Sequence, residues 1–385
     1  MSRNNQKAVL IISQSFPPDI GGVETHLSDL TSELEKKMPV FVCTLKPIVT
    51  GIKNYNPLEK YGRMEIRRFW WFGGHINIFR ILERFPPLLF LYITPYLFIR
   101  TFFFMIFRFT EISVINVHGI NAAFAGWLLS VIFRKKLVMQ THALYSFRKN
   151  SLFTCAVRFI MNRQTEILAL CSASARELAD IGVKKEKIEQ YRYWIDLDRF
   201  STAPKKPQKK QIGWPDVFSV LFTGRLISIK GTAILGRLAE DFPSCRFYII
   251  GYGPDVQEIL AYAEKKSNFI YLGLIPNTEL ADYYRAADIT IVPSQYPEGF
   301  GRVICESLAC GTPVIASKIG GIPDALDERA GILCGPDYAG FKNALMYLLN
   351  HPQEYRKLVL NARSSAEQRF SSKNFENIYR SLVNL

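Results

Sequence analysis

KAVLIISQSFPPDIGGVETH, residues 7–26, contains one complete strand-to-helix unit. The apolar run KAVLIIS (7–13) shows no polar alternation, so it reads as a strand covered on both faces. FPPDIGG breaks that run, and a helix opens near Val23. Gly21 and Gly22 let backbone N–H groups approach an anion at the positively polarised helix start. A tight strand-to-helix turn needs the same two glycines, so the motif alone leaves both readings open.

Outward from this unit the pattern repeats. PVFVCTL (39–45), MEIRRFW (64–70), SVINVHG (113–119), KLVMQTH (136–142) and EILALCS (166–172) are short apolar runs separated by helical stretches, which predicts a parallel α/β sheet. A Pro/Lys-rich break, STAPKKPQKKQIGWPD (201–216), reads as a domain linker. The alternation resumes with SVLFTGRL, RFYIIGYG, FIYLGL, ITIVPS and PVIASK. A chain of 385 residues suits two such domains. The expected division is 1–200, 201–370, and a terminal helix, 371–385, that packs back toward the first domain. Open sheets of this kind hold ligands outside the carboxyl ends of their strands, so two half-sites facing across a cleft are expected.

Hydrophobic residues make up 48% of the chain and charged residues 21%, the balance of a globular protein. The seven cysteines have neither CxxC pairing nor Cys/His ligand spacing and read as reduced core residues. The apolar run near the N-terminus is too short for a signal peptide, so a cytoplasmic protein is expected. Net charge is +14, and residues 1–200 hold 27 Lys+Arg against 16 Asp+Glu, a net +11. Charge alone does not choose between nucleic acid, anionic lipid and a phosphorylated substrate.

Two later segments carry the chemistry. FTGRLISIKG (222–231) sets Arg225 at a strand end and Lys230 at the next helix start. Two cations there can neutralise a departing diphosphate without a metal ion; two solvated surface charges are the plain alternative. PEGFGRVICESLACGTPVIAS (297–317) separates Glu298 from Glu306 by seven residues, with Gly299, Phe300 and Gly301 opening a helix. A carboxylate such as Glu306 inside an apolar helix is costly unless it binds hydroxyls, and a ribose offers two. Otherwise Glu298 is a helix-start charge and Glu306 half of a buried pair with a basic neighbour.

With GGVETH, GRxxxxKG, GYGP, the Glu-x7-Glu pair, ACGTPVIAS and GGIPD in place, the chain resembles the family 4 glycosyltransferases over almost its full length. The resemblance implies the GT-B fold, two Rossmann-like doubly wound parallel-sheet domains facing across a cleft. It implies a retaining, metal-independent enzyme without cofactor that moves a hexose from a UDP- or GDP-sugar. Arg225 and Lys230 then hold the diphosphate, Glu306 the ribose, and Glu298 with the amides of Gly299, Phe300 and Gly301 the donor sugar. Gly22, Leu274 and Val303 also fall on the donor side, and the base lies against 272–275. His118, ending the fourth strand, meets the donor sugar at the reaction centre. Glu24, His26 and His142 are candidates for the acceptor side, although Glu24 and His26 could equally face water. The DxD-like Asp196 and Asp198 read as turn residues, and Tyr193–Trp194 stands where the family usually shows Asn-Gly.

LLFLYITPYLFIRTFFFMIF (88–107) is long enough to span a bilayer. Spanning would put strands of one sheet on opposite sides of the membrane, so insertion into one interface fits better. Arg80, Arg84, Arg100, Arg108, Arg134, Lys135 and Lys136 would meet anionic headgroups. A peripheral enzyme at the inner face of the membrane is therefore expected, acting on a lipid-linked or glycan acceptor in lipopolysaccharide or exopolysaccharide synthesis. A nucleotide-sugar epimerase is the alternative enzyme, and no aromatic-basic motif or helix-turn-helix supports nucleic-acid binding.

Overall fold

The computed structural model describes residues 7–19, 21–47, 55–70, 85–149 and 151–383; Arg80 and Arg84 lie outside them. The chain forms two compact units, 1–191 with 374–385, and 192–373. In the first unit the strands are β1 (Ala8–Ser13), β2 (Val40–Leu45), β3 (Leu58–Tyr61), β4 (Met64–Phe69), β5 (Ile112–His118), β6 (Lys136–Gln140), β7 (Glu166–Ala169) and β8 (Ile188–Gln190). Their order is β3-β4-β2-β1-β5-β6-β7-β8, parallel throughout except for the antiparallel β3–β4 pair. The second unit orders β9 (Ser219–Thr223), β10 (Arg246–Ile250), β11 (Phe269–Gly273), β12 (Ile289–Val292), β13 (Val314–Ser317) and β14 (Gly331–Cys334) as β11-β10-β9-β12-β13-β14, all parallel. Each sheet reverses its winding beside its first strand, between β1 and β5 and between β9 and β12. Those switch points are where doubly wound sheets bind ligands.

Burial explains the strands. All six residues of β1 and all six of β2 are buried, as central parallel strands between helical layers require. Sequence periodicity misses β3, whose residues are mostly exposed, along with the short β8 and β14.

The Pro/Lys-rich stretch 201–216 lies inside the second unit and carries the helix Lys205–Gln211. Its lysines explain why it is no free tether. Lys209 pairs with Asp288 at 2.5 Å, and Lys205 donates to Thr312 Oγ1 at 3.0 Å, burial lowering its pKa to about 8.

Helix Pro86–Arg108 is apolar on two sides. Ile93, Leu97, Phe104 and Met105 pack into the core of the first unit, while Leu88, Leu91, Ile99, Phe103, Ile106 and Phe107 stay exposed. It connects β4 and β5, which belong to one sheet, and its packed face is part of that unit's core; both facts exclude a transmembrane course.

Candidate functional site

At the first switch point, β5 and β6 pair His118 with Gln140 and Asn116 with Val138. Residues two apart on a strand share a face, so Asn116, His118, Gln140 and His142 form a polar block along the carboxyl edge. His118 Nε2 and Gln140 Nε2 both donate to Asn116 Oδ1, at 2.9 and 3.1 Å. His118 Nδ1 therefore accepts, and His142 Nε2 lies 2.9 Å away to donate. His142 Nδ1 in turn faces the Tyr191 hydroxyl at 3.2 Å, whose proton is shared with the Thr141 carbonyl at 3.1 Å. The two imidazoles stack with planes 9° apart.

Burial and the neighbouring His142 and His26 hold His118 well below the ordinary imidazole pKa of 6.5, and burial brings His142 to about 3. Both rings are neutral, and both nitrogens of His118 are engaged within the protein. Asn116, Gln140 and Tyr191 are absent from the sequence-based site, yet the paired spacings Asn-x-His and Gln-x-His on successive strands were the readable signal.

His26 is buried and does not face water. It lies on the buried stripe of helix Gly22–Lys37 with Leu27, Leu30 and Leu34, and its Nε2 meets Gln140 Oε1 at 3.2 Å. Glu24 is half-buried and accepts from Ser15 Oγ at 2.6 Å. Gly22 is exposed, with nothing within 4 Å of where a Cβ would stand, so its backbone is open to a ligand.

At the second switch point, glycines set the loops. Gly231 has φ +74°, and a Cβ there would come 2.0 Å from the Pro293 carbonyl, so only glycine lets the loop after β9 close onto the end of β12. Lys230 Nζ thereby reaches Glu298 Oε1 at 2.7 Å, and Ser294 Oγ donates to the same oxygen. Gly320 and Gly321 press on the Glu298 backbone, with Gly321 N–H donating to its carbonyl at 2.7 Å. The GYGP loop braces the Arg225 loop likewise, through Leu226 N–H to the Tyr252 carbonyl at 3.0 Å. Arg225 is exposed, and its side chain makes no hydrogen bond or ion pair with the described residues.

Glu306 is 2% exposed and already held by protein groups: Asn277 Nδ2, the Tyr284 hydroxyl and Arg302 Nε, each at 3.0 Å. The structure thus displays the buried pair with a basic neighbour, Arg302 standing one turn before Glu306. Phe300 is buried, its ring edge-on to Tyr193 and Phe370, so only its backbone is a candidate for ligand contact. Gly299, Gly301 and Val303 are half-buried beside it, and Leu274 is exposed after β11. Asp196 Oδ1 accepts from the amides of Asp198 and Arg199 at 3.1 and 2.9 Å, a turn role. Among the described residues no group of three or more His, Cys, Asp or Glu is placed to hold a metal ion.

Two doubly wound sheets with polar groups gathered at each switch point define a tandem Rossmann-like protein of GT-B architecture. Residues 20–199 match the model Glycosyltransferase Family 4, and residues 204–365 match Glycosyl transferases group 1. The chain belongs to this glycosyltransferase family. Among curated relatives, the D-inositol 3-phosphate glycosyltransferase 2 of Catenulispora acidiphila is 31% identical over 224 residues, 53% of this chain and 52% of that protein. The D-inositol 3-phosphate glycosyltransferase of Mycobacteroides abscessus is 31% identical over 243 residues, 57% of this chain and 54% of that protein. The chain spans about half the length of these relatives. Among solved structures, Anabaena HepE in complex with UDP matches with a TM-score of 0.79 and 21% identity, covering 98% of this chain and 100% of that one. Sucrose-phosphate synthase from Thermosynechococcus elongatus gives a TM-score of 0.80 at 21% identity with the same coverage.

Proposed function

We propose that this protein transfers a hexose from a nucleotide diphosphate sugar, with retention, to a membrane-proximal lipid-linked or glycan acceptor of the lipopolysaccharide or exopolysaccharide kind. The observation that carries the reading is the Lys230–Glu298 pair at 2.7 Å on the switch point of a chain in this family. Lys230 has three donors and spends one on Glu298, leaving two for a diphosphate. Arg225, on the same loop, adds a guanidinium suited to phosphate oxygens. Glu298 and the amides of Gly299, Phe300 and Gly301 grip the sugar. Glu306 orders the helix start beside the ribose.

The sugar C1–O bond to the β-phosphate loosens while the acceptor oxygen approaches the same face. A new C1–O bond forms, the acceptor proton passes to the departing phosphate oxygen, and nucleoside diphosphate leaves. The neutral His118 and His142 suit this route, because the phosphate rather than an imidazole takes the proton. Solved complexes of HepE with UDP and UDP-glucose support a uridine donor as the first to try. The outward apolar stripe of helix 86–108 supports docking of the enzyme on the cytoplasmic face of a membrane.

The experiment incubates UDP- and GDP-sugars with candidate acceptors, with and without EDTA, and reads product anomers by NMR. A retained anomer formed in EDTA is expected. Lys230→Ala and Arg225→Ala each lower kcat by about 10²–10³, the cost of one well-placed charge donor. An inverted product, strict metal dependence, or release of an epimerised sugar nucleotide without acceptor would sink the proposal.

A further inference from the structure

Between helix 86–108 and β4 lies a cavity of about 290 Å³ lined by Arg67, Arg100 and Arg108 with Phe69, Phe103, Phe104 and Phe107. We propose that it binds the phosphate of an anionic membrane phospholipid, an inference that rests on the membrane docking put forward above. Its volume is roughly ten times a water molecule's share of the liquid, ~30 Å³, ample for a phosphodiester.

The charges are unequally matched. Glu65 takes Arg67 at 2.7 Å and Arg108 at 3.5 Å, and Glu111 also takes Arg108 at 2.9 Å. Arg100 meets no carboxylate among the described residues; its guanidinium lies 5.2 Å from the Phe69 ring centroid. Set over an aromatic face and without a hydrogen bond or ion pair to another described residue, this planar fork suits bidentate contact with a phosphate.

The rim distinguishes a lipid from a soluble anion. Phe103 and Phe107 are 57% and 80% exposed, on the same helical stripe as Leu88, Leu91 and Ile99. Helix Ile120–Phe133, packed against this one, adds exposed Val131 and Ile132. A cation cavity opening through an exposed apolar stripe matches a headgroup above acyl chains.

The test sediments full-length protein with phosphatidylcholine vesicles containing a third phosphatidylglycerol, and with phosphatidylcholine alone. Wild type binds the mixed vesicles. Arg100→Gln lowers its partitioning about tenfold, whereas Arg134→Gln, which removes an equal but peripheral exposed charge, lowers it about two- to threefold. Arg100→Lys keeps the charge but loses the fork, and falls close to Arg100→Gln. Unchanged UDP-induced thermal shifts verify that each variant is folded. Equal losses at Arg100 and Arg134, or wild-type binding by Arg100→Lys, overturn the phosphate site while leaving membrane docking intact. Failure of wild type to bind mixed vesicles, including self-association in their place, overturns both.

Discussion

His118 and His142 show what residue-scale geometry adds to a motif. The resemblance marks His118 as a reaction-centre residue, but only the paired strands show its two nitrogens committed to Asn116 and His142. Neutral buried imidazoles have a consequence for stability. Below pH 6.5 the unfolded chain protonates these rings while the folded chain resists, so stability is full above 6.5 and falls as pH drops toward about 3. Each ring contributes about 1.4 kcal/mol per pH unit in that window. The chemical-denaturation free energy of wild type should therefore drop steeply between pH 6.5 and 5. In His142→Asn the slope over that interval should be shallower by about one proton's worth. Identical slopes would show that His142 titrates normally in the folded protein.

At the scale of elements, the central strands were legible because parallel strands covered on both faces have no polar alternation to disguise them. The hairpin strand β3 was not, since its LEKY segment is mostly exposed, and helix 205–211 was hidden by prolines and lysines that suggested a tether. The candidate site divides in the same way. Spacing singled out Glu298 and Lys230, which pair in the structure, but the long-range partners of Glu306, Asn277 and Tyr284, arrive from other elements and leave no local trace. Arg302, at four residues' separation, was within reach of helix periodicity. These contacts make Glu306 the polar anchor of helix Arg302–Ala309. Removing its charge breaks the 3.0 Å ion pair with the Arg302 guanidinium, which is 7% exposed. Glu306→Gln should cost about 3 kcal/mol and lower the melting temperature by roughly 6–12 °C even without donor. A variant that melts like wild type and loses only donor affinity would make Glu306 a ligand group and nothing more.

On the scale of the whole molecule, the chain leaves its first unit at residue 191 and re-enters it at residue 374. Helix Lys373–Val383 buries Phe375, Ile378 and Leu382 within that unit, a stripe at helical spacing. Lys37 pairs with Glu376 at 2.7 Å and lies over the Tyr379 ring, and Ser381 donates to Glu166 at 2.9 Å. Three buried apolar side chains contribute about 1.5–3 kcal/mol each before the entropy of ordering the helix is subtracted. A chain ending at Lys373 should therefore lose about 3–5 kcal/mol from the first unit and little from the second. UDP, held by the second unit in the proposed function, labels that unit's transition by raising it in a calorimetric scan. Truncation should lower the transition that UDP does not raise. If the UDP-sensitive transition falls instead, or neither moves, the helix is not a structural part of the first unit and its buried stripe contributes no stability there.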